Sequence, residues 1–93
     1  MDTSIANKLV VYLVWYQDAR NGMPFLWGLF KNQVDAIDRA KELTTKTSGV
    51  ENPRELHLSK ETKESFTIRK NSEVICAFCE RGYIFTVEEN TVE

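Results

Sequence analysis

The segment KLVVYLVWYQD, residues 8–18, decides the fold, because almost every position between its polar ends is apolar. β-Branched and aromatic side chains favour extended backbone. In such a strand the side chains alternate between two faces: Leu9, Val11, Leu13 and Trp15 point one way, and Val10, Tyr12, Val14 and Tyr16 point the other. Since both sets are apolar, the pattern is typical of a strand that is covered on both sides.

A second segment, FLWGLFK at residues 25–31, has the same character and predicts a strand antiparallel to the first. Asn21-Gly22 and Pro24 separate the two segments and favour a turn. Simple alternation predicts that Phe25, Trp27 and Leu29 share one face and that Leu26 and Phe30 share the other. Gly28 has no side chain, so we expect a close approach there, such as an aromatic ring from the neighbouring strand.

An amphipathic helix is predicted after this hairpin. Asn32 is a good N-cap residue, and Gly49 is suited to end the helix. The apolar positions recur at helical spacing and predict one buried stripe: Val34, Ala36, Ile37, Ala40 and Leu43.

The second half of the chain predicts further strands. SFTIRK at residues 65–70 alternates, with Phe66 and Ile68 expected inward, and Leu56 with Leu58 could anchor an edge strand. EVICAFC at residues 73–79 favours strand over helix, and YIFTVEE follows after a turn at Gly82. The whole pattern predicts an α+β fold, ββα followed by β-strands. It would have a largely antiparallel sheet of about four to five strands with one main helix packed on one face.

The 93 residues are short enough for one small globular domain spanning 1–93. We expect the polar residues 1–7 and the acidic residues 90–93 to be frayed.

The Cys76-Ala77-Phe78-Cys79 motif is the one arrangement that resembles redox or metal chemistry. In a strand, Cys76 and Cys79 would lie on opposite faces with Cα atoms roughly 10 Å apart, beyond the ~7 Å limit for a disulfide. A helix would bring them to one face and permit thiol exchange or metal binding. A zinc site would also need His57 and a further ligand, because structural zinc takes four. Buried core thiols are the favoured interpretation, with the redox or metal-binding protein as the alternative.

The net charge of −2 makes nucleic acid an unlikely default partner. Charge is unevenly distributed, however: residues 39–70 carry eight Lys/Arg against five Glu, a net +3. A weak nucleic-acid binder is therefore a second alternative, and its candidate residues are Arg54, Lys60, Lys63, Arg69 and Lys70.

Composition and motifs also limit compartment and activity. Two cysteines are too few for a disulfide-built secreted scaffold, and the run Leu9 to Tyr16 is about half the length of a membrane span. We therefore expect a cytoplasmic, reducing environment and no membrane partner. The four glycines form no phosphate-binding loop, and His57 has no nucleophile near it in sequence. The sequence thus predicts no enzyme and no cofactor.

The aromatic residues of the first third point to an interaction surface, because one helix can cover only one face of the apolar hairpin. The candidate residues are Tyr12, Trp15, Tyr16, Phe25, Trp27 and Phe30. Our leading hypothesis is a non-enzymatic protein–protein interaction module, a homodimer or the binder of a heterologous protein. In size and composition alone, the chain resembles small acidic accessory proteins of phages and viruses, which implies a role in blocking another protein.

Overall fold

The computed structural model describes residues 9–18 and 22–92 and confirms the α+β fold. The elements are β1 (Leu9–Asp18), β2 (Phe25–Phe30), α1 (Gln33–Ser48), α2 (Lys60–Phe66), β3 (Ser72–Glu80) and β4 (Tyr83–Val92). The four strands form one antiparallel sheet in the order β2-β1-β4-β3. The first and last strands, β1 and β4, therefore lie at its centre.

The main core lies between α1 and one face of the sheet, which we call the helix face. Asn32 caps the helix, its side-chain oxygen accepting from the Val34 and Asp35 N–H groups, and Gly49 ends it in the left-handed conformation. The buried core residues are Val14, Ala36, Ala40, Leu43, Cys76, Phe78, Phe85 and Val87. The predicted buried stripe is wrong for Val34, which lies in the first turn of α1 and is 63% exposed.

The opposite side of the sheet, which we call the rear face, carries Leu13 and Trp15 from β1 and Glu88 from β4. Glu88 is fully buried there, because the segment 67–71 crosses over it. Its carboxylate accepts from the Ile68 N–H at 2.8 Å and from the Arg69 N–H at 3.3 Å. Backbone donors thus replace the water that a buried carboxylate would otherwise require.

The predicted strand at residues 65–70 is wrong. Residues 60–66 form α2, and the backbone then turns across the rear face. Ser59 starts the helix by accepting from the Thr62 N–H, and the helix formers Lys60, Glu61, Lys63 and Glu64 follow it. These helix-favouring residues at the start of α2 outweigh the strand preference of the residues at its C-terminal end.

The expected fraying of residues 90–93 is also wrong for the three described residues, which extend β4 to Val92 beside β1. Asn90 is buried, and its side-chain amide donates to Lys70 O at 3.2 Å and to Ser72 Oγ at 2.6 Å. These bonds tie the end of the chain to the start of β3. Residue 93 and the segment 1–7 lie outside the described residues.

The two edges of the sheet differ. Along β3, Leu56 N–H donates to Ala77 O at 2.8 Å and Cys79 N–H donates to Arg54 O at 3.1 Å, so residues 54–56 cover this edge from Ala77 to Cys79. The predicted edge segment around Leu56 is therefore beside the sheet, but as an isolated bridge and not as a full strand. In the described residues, no strand lies outside β2, which forms the other edge.

A bulge in β2 changes the predicted alternation of its side chains. Gly28 pairs with Val14 and Leu26 pairs with Trp15, so Trp27 is the extra residue between them. Phe25, Trp27, Gly28 and Phe30 consequently lie on the helix-face side, and Leu26 and Leu29 lie on the rear face. The grouping of Leu29 with Phe25 and Trp27 was wrong, and so was that of Phe30 with Leu26, because the prediction assumed an unbroken period of two.

Candidate functional site

The most unusual surface of the molecule is the edge strand β2, whose apolar side chains are open to solvent on both faces. Four large side chains are about half exposed: Phe25 56%, Leu26 48%, Trp27 51% and Leu29 59%. We call these four residues the edge surface. Because no strand of residues 9–18 and 22–92 pairs with the outer side of β2, the edge surface combines a hydrogen-bonding row with apolar side chains.

Aromatic rings hold the helix-face half of the edge surface in place. Tyr16 lies next to Phe25, with ring centroids 5.3 Å apart, and next to Phe85 at 5.0 Å. Trp27 meets Phe85 edge-on at 6.5 Å. Such contacts fix ring orientation, so Phe25 and Trp27 are exposed but positioned by the core beneath them.

The six sequence-predicted interaction residues divide into three groups. Tyr12, Tyr16 and Phe30 pack against the core under α1. Trp15 is half-buried on the rear face, where its indole Nε1–H donates to Glu88 Oε1. Among the predicted six, the structure therefore leaves Phe25 and Trp27 as the exposed pair.

The pKa of the Tyr12 phenol is raised by its surroundings. Burial raises its pKa above the ordinary value of 10.0, and the charge and hydrogen bond of the neighbouring Glu89 carboxylate raise it further. The phenol is therefore neutral at physiological pH, and it packs against the core as a partly buried side chain.

Sequence reasoning missed Leu26 and Leu29 as parts of the surface. Both lie on the rear face of β2, beside Trp15 and Leu13 respectively. Their exposure follows from the strand order, which leaves β2 with one neighbour. The absence of charge in residues 25–30 was the available signal, since edge strands commonly carry lysine or proline.

The two cysteines are free thiols on opposite faces of β3. Cys76 lies in the core, where burial and then the nearby Glu55 charge raise its pKa to about 12. Cys79 is half-buried and pairs with Ile84 toward the rear face. A shared disulfide is incompatible with this placement, and a thiol with such a high pKa is a poor nucleophile at neutral pH.

A pocket of about 260 Å³ brings His57 and Cys76 to one lining, together with Glu55 and Lys63. Its mouth is wide, and His57 itself is exposed. Within residues 9–18 and 22–92, no three His, Cys, Asp or Glu side chains are grouped as a metal site requires. The alternative metal set Cys76, Cys79 and His57 is also divided, because Cys79 faces away from the pocket.

The basic residues of the nucleic-acid alternative do not form one surface. Arg54 lies beside Cys79 near one end of β3, and Lys63 pairs with Glu73 at 3.3 Å near the other. Six residues of strand separate these points, which is about 20 Å. Lys60, Arg69 and Lys70 are exposed, within or just after α2. The five cations are therefore not gathered at one point.

No known protein family, no curated protein and no solved structure matched the chain when it was compared with them. None of the helices in the described residues has the length and apolar character needed to cross a membrane.

Proposed function

We propose that this chain is a non-enzymatic protein-interaction module that self-associates and acts by occupying a protein surface. The observation that carries the proposal is the edge surface, because Phe25, Leu26, Trp27 and Leu29 remain half exposed on an uncovered strand. Aromatic and large apolar side chains concentrate binding energy at protein interfaces. Removing them from water is the driving force for association.

The position of the edge surface supports a binding role over a packing defect. Tyr16 and Phe85 orient the rings of Phe25 and Trp27, so little side-chain freedom remains to be lost on binding. The edge of β3, in contrast, is covered by the chain's own residues 54–56. Part of one edge is thus protected, whereas no described strand covers the other.

Sedimentation velocity over a concentration series tests the proposal. We expect the mass of the wild-type chain to rise from monomer toward dimer through the micromolar range. Leu29→Lys should keep the chain monomeric, because the charge would be buried at the interface. Val92→Lys is the matched control: Val92 is also exposed, at 42%, but lies at the end of β4, away from the edge surface.

Two outcomes would count against self-association. A wild-type chain that stays monomeric at every concentration removes it, and the edge surface would then be assigned to a heterologous partner or to none. Equal loss of dimer in Leu29→Lys and Val92→Lys would place the interface elsewhere.

The proposal includes a reducing, cytoplasmic setting, which the two free thiols support. We also propose that the module inhibits a heterologous protein. Without catalytic groups it would act by covering a surface that the heterologous protein needs for its own function, as small viral accessory proteins do.

A further inference from the structure

We propose that the partner of the edge surface is a second copy of this chain, paired antiparallel through β2 in a register that places residue 26 opposite the partner's residue 29. This inference rests on the proposed function and specifies its geometry. Two four-stranded sheets would join into one continuous sheet of eight strands, with the two-fold axis between Trp27 and Gly28.

The order of side chains along β2 is nearly the same in both directions. FLWGLF reads phenylalanine and leucine inward from each end, with Trp27 and Gly28 at the centre. An antiparallel two-fold pair places residue i of one strand opposite residue j of the other, and j opposite i. Phe25 then meets Phe30, Leu26 meets Leu29, and Trp27 meets Gly28, which has no side chain of its own and lies beneath the ring of Phe30.

The bulge makes this pairing consistent in three dimensions. Residues directly opposite each other in a sheet must point to the same face. In a regular strand, Leu26 and Leu29 would point to opposite faces. Because Trp27 is an extra residue, both leucines lie on the rear face, and Phe25 and Phe30 both lie on the helix face. The faces to which successive side chains of β2 point are therefore arranged symmetrically about the centre of the strand.

The same bulge selects a second copy over an unrelated strand. A regular partner strand would lose its register at Trp27, because two residues of β2 occupy the space of one. A second β2 carries the identical irregularity at the symmetric position. The bulge, which disfavours pairing with a regular strand, therefore lies opposite an identical bulge when two copies of the chain pair.

Charge favours the antiparallel arrangement. Residues 23–30 contain no charged side chain, and Lys31 follows directly after the strand. In the proposed register the two Lys31 residues lie seven residues apart along the strands, which is about 20 Å at the usual rise because the bulge removes one position. This distance exceeds the ~8 Å screening length at physiological salt. A parallel pair would place the two lysines side by side.

The area available indicates a reversible dimer. Half exposure of four large side chains corresponds to about 100 Å² each, so two copies contribute about 800 Å², to which the paired backbone adds. Stable complexes bury about 1,200–2,000 Å² in total. The side-chain area lies below this range, so we expect the dimer to dissociate on dilution.

Cysteine cross-linking tests the register. Leu26→Cys and Leu29→Cys are made separately in a Cys79→Ser background, and each protein is oxidised alone and in an equal mixture above the dimer concentration. In the proposed register Cβ atoms at positions 26 and 29 of opposite chains lie about 5 Å apart. Because of the bulge, two copies of position 26 are offset by only two regular positions, as diagonal neighbours whose Cβ atoms lie about 7–8 Å apart, which is still beyond disulfide reach.

We expect a disulfide-linked dimer in the mixture, in up to about half of the chains, which is the statistical share of mixed pairs. Each variant alone should give little. Equal cross-linking in the single-variant samples would overturn the register, because it requires like positions to meet. If sedimentation detects a dimer but the mixture gives no disulfide, the proposed pairing is wrong and self-association stands.

Amide hydrogen exchange of the wild-type chain gives a test without substitutions. Pairing through the strand edge should slow exchange of outward-facing amides in residues 25–30 when the protein is concentrated, by at least about tenfold. A dimer that packs through the rear face would leave these amides unchanged and overturn the proposal. A chain that sediments as a monomer throughout would overturn both the pairing and the self-association.

Discussion

The indole Nε1–H of Trp15 donates to Oε1 of Glu88 over 3.0 Å and joins the two central strands on the rear face. The other oxygen of the same carboxylate accepts from the Ile68 and Arg69 N–H groups. One buried side chain therefore links β1, β4 and the segment after α2. Because all three bonds are to neutral donors, the carboxylate is held by hydrogen bonding alone, with no ion pair among these contacts.

Glu88→Gln should lower the free energy of unfolding by about 2 kcal/mol. Glutamine keeps one acceptor oxygen, but its amide group would face a backbone or indole N–H that needs an acceptor. Urea denaturation measures the effect, and Glu51→Gln on the exposed surface is the control, with an expected change within about 0.5 kcal/mol. An equal effect of the two substitutions would show that the three bonds contribute nothing specific.

Cys76 should react with iodoacetamide at pH 8 at least about tenfold more slowly in the folded chain than in urea, because burial raises its pKa from 9.0 to about 12 and limits access to the sulfur. The Cys79→Ser variant isolates this thiol, and mass spectrometry follows the modification. The raised pKa also determines how the free energy of unfolding changes with pH. The unfolded thiol ionises first, so stability from this group is lost as pH rises from 9 toward 12. Rapid alkylation in native buffer would contradict the burial of Cys76.

Gly28→Ala should destabilise the chain by about 1 kcal/mol, because an added Cβ would lie 2.9 Å from Cε1 of Phe30. The ring must then move from its position over the strand. In a Phe30→Leu background the same substitution should cost clearly less, and thermal unfolding of the four proteins measures the coupling. The ring comes from β2 itself, whereas we expected an aromatic ring from the neighbouring strand. An unchanged cost in the leucine background would mean that the ring does not limit this position.

Arg81→Asn should stabilise the chain by up to about 1 kcal/mol. Arg81 and Gly82 form the two-residue turn between β3 and β4, with φ values of 51° and 85°. Asparagine adopts positive φ more readily than arginine, and Asn-Gly is the favoured pair in such turns. A rise in melting temperature is the expected result. Arg81→Val is the opposing control, because a β-branched residue should be strained at this angle.

Much of the fold was predictable from local patterns. The apolar segments of β1, β3 and β4 read correctly as strands, and Asn32 and Gly49 correctly bounded α1. The C-x-x-C lies in a strand with its cysteines on opposite faces, as alternation predicted. These features depend on side chains close in sequence, which is the information that periodicity contains.

The remaining features depend on contacts between distant segments. Phe66 and Ile68 have strand propensity, yet Ser59 starts a helix before them and Glu88 holds the backbone that follows. The bulge at Trp27 reversed the expected face of Leu29. Strand order decided that the edge surface includes two leucines, while three predicted aromatic residues became core. Single-sequence patterns carry no direct signal for these long-range arrangements.

The covering of β3 by residues 54–56 has a consequence for how far an assembly can grow. A chain with two accessible borders could add neighbours indefinitely and form a fibre. Here residues 54–56 already occupy the hydrogen-bonding groups of Ala77 and Cys79 on the second border, so a pair joined at β2 offers a third chain only the remaining part of β3. This shortened border limits growth beyond two subunits.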